Sequence, residues 1–261
     1  MGFASLGSGS RGNGTLVFLG GRLFLVDCGF SLRQTESRLS RLGVSGGDID
    51  GILVSHEHAD HISGVIPLSH KYQIPIYASY GTKKSLGRSA EFRCFDGDTE
   101  FLISGVTINP VSVPHDAREP TQFTFSLNGE RIGVLSDIGY VTDHVLTQFS
   151  ECKSLFIEAN HDRAMLSKSA YPARLKDRIR NDYGHLSNEQ SFEALKVLAH
   201  EDLNVVIGHV SEQNNSYSIL EETFESMRSE LKGLYYATQR EGFDWVGDRP
   251  VVRQLQIGQG G

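Results

Sequence analysis

The sequence predicts an α+β fold in which two β-sheets are covered by outer helices. Apolar runs of strand length alternate with loops and a few helical stretches along the 261 residues. Several strands follow one another as meanders, and Asn128-Gly129 is a typical tight turn between two of them. This order differs from the regular strand–helix alternation of a purely parallel sheet.

Strands are predicted where short apolar or alternating runs are bounded by turn residues. They cover Arg22–Asp27, Gly51–Ser55, Ile74–Ala78, Val106–Val113, Gln122–Leu127, Arg131–Ser136, Ser154–Ile157 and Leu203–Ile207, and the tail returns to strands. Helices are predicted where apolar residues recur at helical spacing. They cover Gln34–Leu42, Ile62–Lys71, Arg174–Tyr183, Asn188–Glu201 and Asn215–Leu231. No repeat or linker interrupts this series, so we expect a single domain over residues 1–261.

Composition excludes some classes of protein. The formal net charge of −7 argues against a protein that only coats nucleic acid. It does not exclude a nuclease, because metal ions can hold a phosphate where the net charge would not. Cys28, Cys94 and Cys152 are far apart, so neither a disulfide framework nor a cysteine zinc knuckle is expected. With no signal-like start and no long apolar stretch, we expect a cytoplasmic protein without membrane association.

Potential metal ligands follow the predicted strands at five places along the chain. They are Asp27, His56, His115, Asp137 and His209. Strands that end together at one edge of a sheet present their last side chains to the same crevice. Rigid strand ends also hold ligands more precisely than loops do. We therefore expect these residues to meet in one site.

The densest group is His56-x-His58-x-Asp60-His61. Residues i and i+2 of an extended segment point the same way, so His56 and His58 can bind one ion. Asp60 and His61 lie past the turn and can reach a second ion, and Asp137 can bridge two ions that are ~3.5–4 Å apart. Imidazole and carboxylate together suit Zn²⁺, Mn²⁺ or Fe²⁺, whereas Ca²⁺ prefers oxygen ligands alone. The alternative, a solvated histidine-rich loop, is disfavoured because the group directly follows a buried strand.

These residues are similar to the five-motif signature of the metallo-β-lactamase superfamily, and the resemblance extends from Gly7 to Asn215. It implies an αββα four-layer sandwich with two divalent metal ions at one edge. It also implies a role for each residue. The first ion would be bound by His56, His58 and His115, and the second by Asp60, His61 and His209. Asp137 would bridge both ions, and Asp27 would orient a ligand histidine without binding an ion itself.

Further segments resemble one bacterial subgroup, the YycJ/WalJ-like exonucleases, which are related to RNase J and RNase Z but lack the inserted β-CASP domain. These segments are Ser8–Asn13, His115–Ala117 with Pro120, Glu158–Asp162, Gly184–Asn188 and His209–Asn215. The resemblance implies a nucleic-acid substrate.

Other residues are candidates for contacts with the substrate. The Gly-rich loop Gly7–Gly14 can turn backbone N–H groups toward an anion, or it can be a tight turn with no ligand. Its side chains Ser8, Ser10 and Asn13 are candidate substrate-binding residues. His161 follows a strand and His185 precedes a helix, so both are candidates for substrate binding or proton donation. The alternative for each is a structural loop histidine.

A basic helix face is formed by Arg174, Lys176, Arg178 and Arg180. This face can follow a nucleic-acid backbone, although a solvated helix surface is the favoured interpretation.

The sequence therefore predicts a binuclear metal-dependent hydrolase, a phosphodiesterase or 5′-exonuclease acting on DNA. A hydroxide that bridges the metal ions would attack phosphorus, and Asp60 or Asp137 would orient it. His161, His185 or a metal-bound water would protonate the leaving oxygen. One alternative is a hydrolase of small thioesters, lactones or β-lactams with the same fold. A metal-binding oxidoreductase is disfavoured, because flavo-diiron proteins have Glu where this chain has His58.

Overall fold

The computed structural model describes residues 1–86 and 90–250. Within these ranges, 14 strands form two seven-stranded sheets. The predicted strand-forming tail is described as far as Pro250, and residues 251–261 lie outside the described ranges.

The first sheet contains the N-terminal strands. In chain order they are β1 (Gly2–Gly7), β2 (Gly14–Leu19), β3 (Arg22–Val26), β4 (Gly51–Val54), β5 (Ile76–Ser79), β6 (Phe92–Phe95) and β14 (Phe243–Gly247). Their spatial order is β14-β1-β2-β3-β4-β5-β6. Neighbouring strands are antiparallel from β14 to β3 and parallel from β3 to β6. The sequence did not predict β1, β2 or β6. β1 is buried at every position and therefore lacks the alternation that marks a half-exposed strand.

The second sheet contains the later strands. They are β7 (Phe101–Ile103), β8 (Val106–Ser112), β9 (Thr121–Leu127), β10 (Glu130–Leu135), β11 (Ser154–Glu158), β12 (Asn204–Gly208) and β13 (Gly233–Tyr236). Their spatial order is β13-β12-β11-β10-β9-β8-β7. β7 to β10 are antiparallel, with the predicted Asn128-Gly129 turn between β9 and β10, and β10 to β13 are parallel.

Helices connect the strands and lie on the outer faces. They are α1 (Leu32–Arg41), α2 (Ala59–Ile62), α3 (Val65–Tyr72), α4 (Tyr80–Leu86), α5 (Asp143–Phe149), α6 (Arg163–Lys168), α7 (Ala173–Arg180), α8 (Asn188–Leu198) and α9 (Tyr217–Phe224). In the part of the chain described here, no helix combines the length and the apolar content needed to cross a membrane.

The predicted helix over Ile62–Lys71 is divided into α2 and α3 at Gly64. The backbone N–H of Gly64 donates to the carbonyl oxygen of Cys28 instead of continuing a helix. A Cβ at Gly64 would lie 2.1 Å from the carbonyl oxygen of Phe30. The break therefore results from close packing against the segment that follows β3, which helical periodicity does not reveal.

Three apolar clusters define the layers. In β3, Phe24 and Val26 point into the cluster between the two sheets, while Leu23 and Leu25 point into the cluster beneath the helices of the first sheet. A third cluster lies between the second sheet and its helices and includes Leu155. Helix, sheet, sheet and helix therefore stack in order, and the predicted αββα four-layer sandwich is confirmed.

The carboxyl ends of the parallel strands determine where the polar side chains of the site lie. Asp27 follows β3 and His56 lies two residues after β4. Asp137 lies two residues after β10, and His209 directly follows β12. Glu158 is the last residue of β11. Because the carboxyl ends of neighbouring parallel strands share an edge, these side chains converge there.

Candidate metal centre

A first group of donors consists of three histidines. Nε2 of His56 lies 3.0 Å from Nδ1 of His58, and Nε2 of His115 lies 3.4 Å from the same atom. Two nitrogens bound to one tetrahedral zinc ion are about 3.3 Å apart, given metal–nitrogen bonds of ~2.0–2.1 Å. Two of the three separations are close to this value, and all three ligand atoms lie within 4.8 Å of one another.

A second group consists of Asp60, His61 and His209. Oδ2 of Asp60 lies 3.6 Å from Nε2 of His61. Nε2 of His209 is buried and has no hydrogen-bond partner, which costs free energy unless a ligand occupies it. An unpaired imidazole nitrogen beside a carboxylate and a second imidazole suits a divalent transition metal.

Asp137 lies between the two groups. Its Oδ2 is 3.2 Å from Nε2 of His61, and its Oδ1 is 3.6 Å from Nε2 of His209. It also falls within one donor group with His56 and His61. A carboxylate in this position can contact an ion in either group, as the bridging role predicted for it requires.

Asp27 lies behind the donors and does not belong to either group. Its Oδ2 is 2.8 Å from Nδ1 of His61 and accepts from the hydroxyl of Ser55 at 2.7 Å. The same hydroxyl lies 2.9 Å from Nδ1 of His56. One carboxylate thus orients His61 directly and His56 through Ser55, which leaves Nε2 of both rings facing the centre.

Glu158 contacts two histidines of the site, and the sequence analysis assigned it no role. Its carboxylate is fully buried, and Oε1 lies 2.8 Å from Nδ1 of His209 and 2.7 Å from Nδ1 of His185. Oε2 accepts from the backbone N–H of Ile138 at 3.0 Å. Its signal was present in the sequence, because β11 ends in an acid just as other strands run into His or Asp.

The carboxylates of Asp137 and Glu158 are held in their ionised form. Burial opposes the ionisation of Asp137, but the neighbouring His209 and His61 outweigh it and keep its pKa well below the usual range. Burial opposes the ionisation of Glu158 as well, and His185 and His209 lower its pKa to about 2. Ionised carboxylates are the form that binds or supports a metal ion.

The histidines divide into two electrostatic classes. Burial lowers the pKa of His115 to about 4 and that of His56 well below its usual value, so these two rings are neutral. Burial also opposes protonation of His209, but Asp137 and Glu158 raise its pKa to about 9. The pKa of His61 is raised well above normal by Asp137 and Asp27 against the effect of burial. A metal ion would replace the protons held by this second pair.

Three of the residues after the strands have left-handed backbones. The φ angles of Asp27, Asp137 and His209 are 61°, 51° and 51°. Residues other than glycine rarely adopt this conformation, which persists when the surrounding structure holds it. Here the sharp turn after each strand directs the side chain back toward the centre, where hydrogen bonds retain it.

The Gly-rich loop Gly7–Gly14 contacts residues of the second donor group. The hydroxyl of Ser8 accepts from the backbone N–H of His209 at 2.6 Å, and Nδ2 of Asn13 lies 3.3 Å from Oδ2 of Asp60. Both residues are buried. Ser10, by contrast, is exposed and lines the cleft. Of the three candidate substrate-binding residues in this loop, Ser10 faces the space available to a substrate, and the other two contact the metal-ligand residues.

An open cleft of about 400 Å³ lies over the donors. Its lining includes Ser10, His58, Asp60, Asp137, Asn160, Tyr171, Leu175, Arg178, Ile179, His185 and His209. At its mouth the guanidinium of Arg178 donates to Asp116, whose other oxygen lies 3.5 Å from Nε2 of His115. The structure thus brings His185 into the cleft. It places His161 elsewhere, in a separate pocket with Arg163.

Comparisons with known proteins agree with this geometry. Residues 22–208 match the family model described as the beta-lactamase superfamily domain. The chain is 35% identical over 222 residues to "Exodeoxyribonuclease WalJ" of Streptococcus pneumoniae serotype 2, covering 82% of each chain. It is 33% identical over 221 residues to "Exodeoxyribonuclease YycJ" of Bacillus anthracis, covering 82% of this chain and 83% of the relative.

Among solved structures, the metallo-beta-lactamase fold protein YhfI from Bacillus subtilis superimposes with a TM-score of 0.69 at 15% identity, covering 94% of this chain and 98% of the other. At this identity the similarity concerns the fold. With the family model matching most of the sequence and the donor groups at the expected strand ends, the chain belongs to the metallo-β-lactamase superfamily.

Proposed function

We propose that this protein is a metal-dependent exodeoxyribonuclease. The observation that carries the proposal is the pair of donor groups joined by Asp137 at the floor of an open cleft. The relatives named as exodeoxyribonucleases match along most of their own length, which supports the same chemistry on DNA.

The proposed centre would hold two divalent ions. His56, His58 and His115 would bind one ion, Asp60, His61 and His209 would bind the other, and Asp137 would contact both. The nitrogen-rich donor set favours Zn²⁺ or Mn²⁺ and also accommodates Fe²⁺. When bound, such ions lower the pKa of water and stabilise negative charge on a phosphate.

The protein's own residues then orient the reactants. Asp60 lines the cleft and is the carboxylate assigned to orient the attacking water. Arg178 lies in the same cleft, where its charge complements the phosphate backbone of a strand. Tyr171 adds an aromatic side chain against which a base can stack.

His185 is the residue assigned to hold the proton for the leaving oxygen. It lines the cleft, and its side chain is 22% exposed. Its Nδ1 is engaged by Glu158 at 2.7 Å, which fixes the ring and leaves the other nitrogen for the substrate. His161, the other candidate from the sequence, lines a different pocket and is not assigned this role.

A nuclease assay on the purified protein tests the proposed function. End-labelled DNA is incubated with Mn²⁺ or Zn²⁺ and with wild type, Asp60→Ala or His70→Ala. His70 is an exposed residue of α3 outside the site and serves as the control. We expect wild type and His70→Ala to release nucleotides from DNA ends and Asp60→Ala to lose this activity.

Intact DNA with both metals would contradict the proposal. Cleavage of a thioester, lactone or β-lactam under the same conditions would then assign the centre to small substrates. The assay therefore separates the nuclease from the other hydrolases that share this fold.

Two broader features belong to the same proposal. The apolar cluster shared by both sheets supports the single domain that the sequence predicts, as far as residues 1–86 and 90–250 are concerned. Cys28, Cys94 and Cys152 are free in the structure, which supports a reducing, cytoplasmic setting.

A further inference from the structure

Four of the five proposed ligand histidines have the ring nitrogen that faces away from the centre engaged by an oxygen atom. Such a contact fixes the ring of a ligand histidine and supports its binding to a metal ion. The engaged pairs are His56 with the Ser55 hydroxyl, His61 with Asp27, His115 with the carbonyl oxygen of Gly184, and His209 with Glu158.

His58 is the exception. Its Nδ1 faces His56 and His115, so Nε2 is the nitrogen that needs an acceptor. Oδ1 of Asp116 lies 3.7 Å from this nitrogen, which is too far for a hydrogen bond. A carboxylate therefore lies beside the ring without engaging it.

Asp116 is paired with Arg178 instead. The guanidinium Nε of Arg178 donates to Oδ2 of Asp116 at 2.5 Å. The backbone of Asp116 is fixed as well, because its N–H donates to the carbonyl oxygen of Tyr183 at 3.0 Å. A hydrogen bond to His58 therefore requires the carboxylate alone to move by about 1 Å, away from the guanidinium.

Arg178 is placed to exchange this partner for a phosphate. Its side chain is 56% exposed and lines the cleft over the donors. It lies on α7, which buries none of its residues and can therefore shift at a low cost in free energy. A phosphate in the cleft competes with Asp116 for the guanidinium, because both are anions that accept from its N–H groups.

We propose that Asp116 is a positioning residue shared between Arg178 and His58. When a phosphate of a strand in the cleft engages Arg178, Asp116 turns to accept from Nε2 of His58 and strengthens ion binding by the first donor group. Among the described residues the donor groups do not include Asp116, so it acts through the ring and not as a ligand. Strand and ion then increase each other's affinity by the same factor. The step that involves a phosphate rests on the proposed function.

Two substitutions with opposite effects test the sharing without DNA. Zn²⁺ is titrated against a chelator, and the imidazole NMR signals of His58 identify the step that fills the first donor group. Asp116→Asn should weaken this step by about 10- to 100-fold, because the ring loses its carboxylate. Arg178→Ala should strengthen it about fivefold, because Asp116 is then free to engage His58. Both side chains are partly exposed, so neither substitution leaves a buried cavity.

The double variant separates this mechanism from simple repulsion between Arg178 and the ion. In the proposed mechanism, Arg178→Ala no longer strengthens ion binding once Asp116 is replaced by Asn. Strengthening that persists in the double variant overturns the inference, and so does unchanged ion affinity in Asp116→Asn. Arg174→Ala and Asp177→Asn remove exposed charges of α7 that do not line the cleft, and both should bind the ion as wild type does.

A second measurement tests the release of Asp116 by a phosphate. A nuclease-resistant phosphorothioate oligonucleotide is added during the titration. We expect it to strengthen the first step about fivefold more in wild type than in Asp116→Asn, and equal strengthening in both overturns the inference. The comparison of variants contains no DNA, so it can succeed when no DNA is hydrolysed and fail when DNA is degraded. Failure of this inference is thereby distinguished from failure of the proposed function.

Discussion

Nδ1 of His209 lies 2.8 Å from Oε1 of Glu158, a carboxylate with no solvent exposure at the end of β11. Because an ionised carboxylate only accepts hydrogen bonds, it fixes the N–H of His209 on Nδ1 and directs Nε2 toward the second donor group. The same oxygen engages His185, so one buried acid orients both a proposed metal ligand and the proposed proton donor.

Glu158→Gln is expected to weaken metal binding at the second donor group by about 10- to 100-fold, the usual effect of losing a residue that orients a metal ligand. The amide keeps the shape of the side chain but loses the charge that supports His209. Metal titration of the variant measures the effect. Glu193→Gln, a substitution on the exposed surface of α8, is the control and should leave affinity unchanged. If Glu158→Gln binds metal as tightly as wild type, Glu158 does not orient His209 for metal binding.

His185→Ala is expected to lower the turnover rate on DNA by about 10²- to 10⁴-fold, the range for loss of a general acid or base. Metal content should be unchanged, because both proposed ions have three other donors and the bridging Asp137 without this ring, although His185 lies near Asp137 and His209. Elemental analysis and single-turnover rates are measured on the same sample, with His70→Ala as the matched histidine control. Loss of metal together with activity would instead identify His185 as a ligand.

Metal affinity should increase with pH. Burial opposes protonation of His209, but Asp137 and Glu158 raise its pKa to about 9 in the metal-free protein. An ion must displace this proton, so affinity should rise about tenfold per pH unit for each proton released, and the part of the increase due to His209 should level off above pH 9. Competition with a chelator between pH 7 and 10 measures the metal affinity. An affinity that does not change with pH would contradict the assignment of His209 as a ligand.

The same group predicts how the stability of the metal-free protein depends on pH. The folded pKa of His209 lies above the unfolded value of about 6.5, so its contribution is complete below that pH. The contribution is lost as pH rises through about 9. Chemical unfolding after treatment with a chelator should therefore show a falling free energy of unfolding between these values. His209→Asn should lack this part of the decrease.

Gly29→Ala should disturb the centre through the backbone. A Cβ at Gly29 would lie 1.7 Å from the carbonyl oxygen of Asp60, so the segment that carries two metal-ligand residues must move. We expect a loss of ~1–3 kcal/mol in the free energy of unfolding, typical of overpacking, together with weaker metal binding. Gly47→Ala is the control, because its nearest neighbour is 3.7 Å away. Equal stability of the two variants would show that the loop adapts.

The sequence was sufficient to propose the donors of the candidate centre. His56, His58, Asp60 and His61 lie in one short segment after a buried strand, and His115, Asp137 and His209 stand after strand-like runs. Strand periodicity is a local rule, and a repeated pattern of strands that run into His or Asp predicts a common site at one edge without the order of the strands. The structure places all seven within the donor groups.

Other relationships depended on which elements become neighbours in space. Glu158 lies 51 residues from His209 in the chain, and only the parallel pairing of β11 with β12 places the two side chains in contact. His161 follows a strand as the ligand residues do, yet the structure directs it to the pocket beside α7. Periodicity specifies which side chains share a face of one element, but the tertiary packing decides which face of α7 lines the cleft over the donor groups and which lines the second pocket.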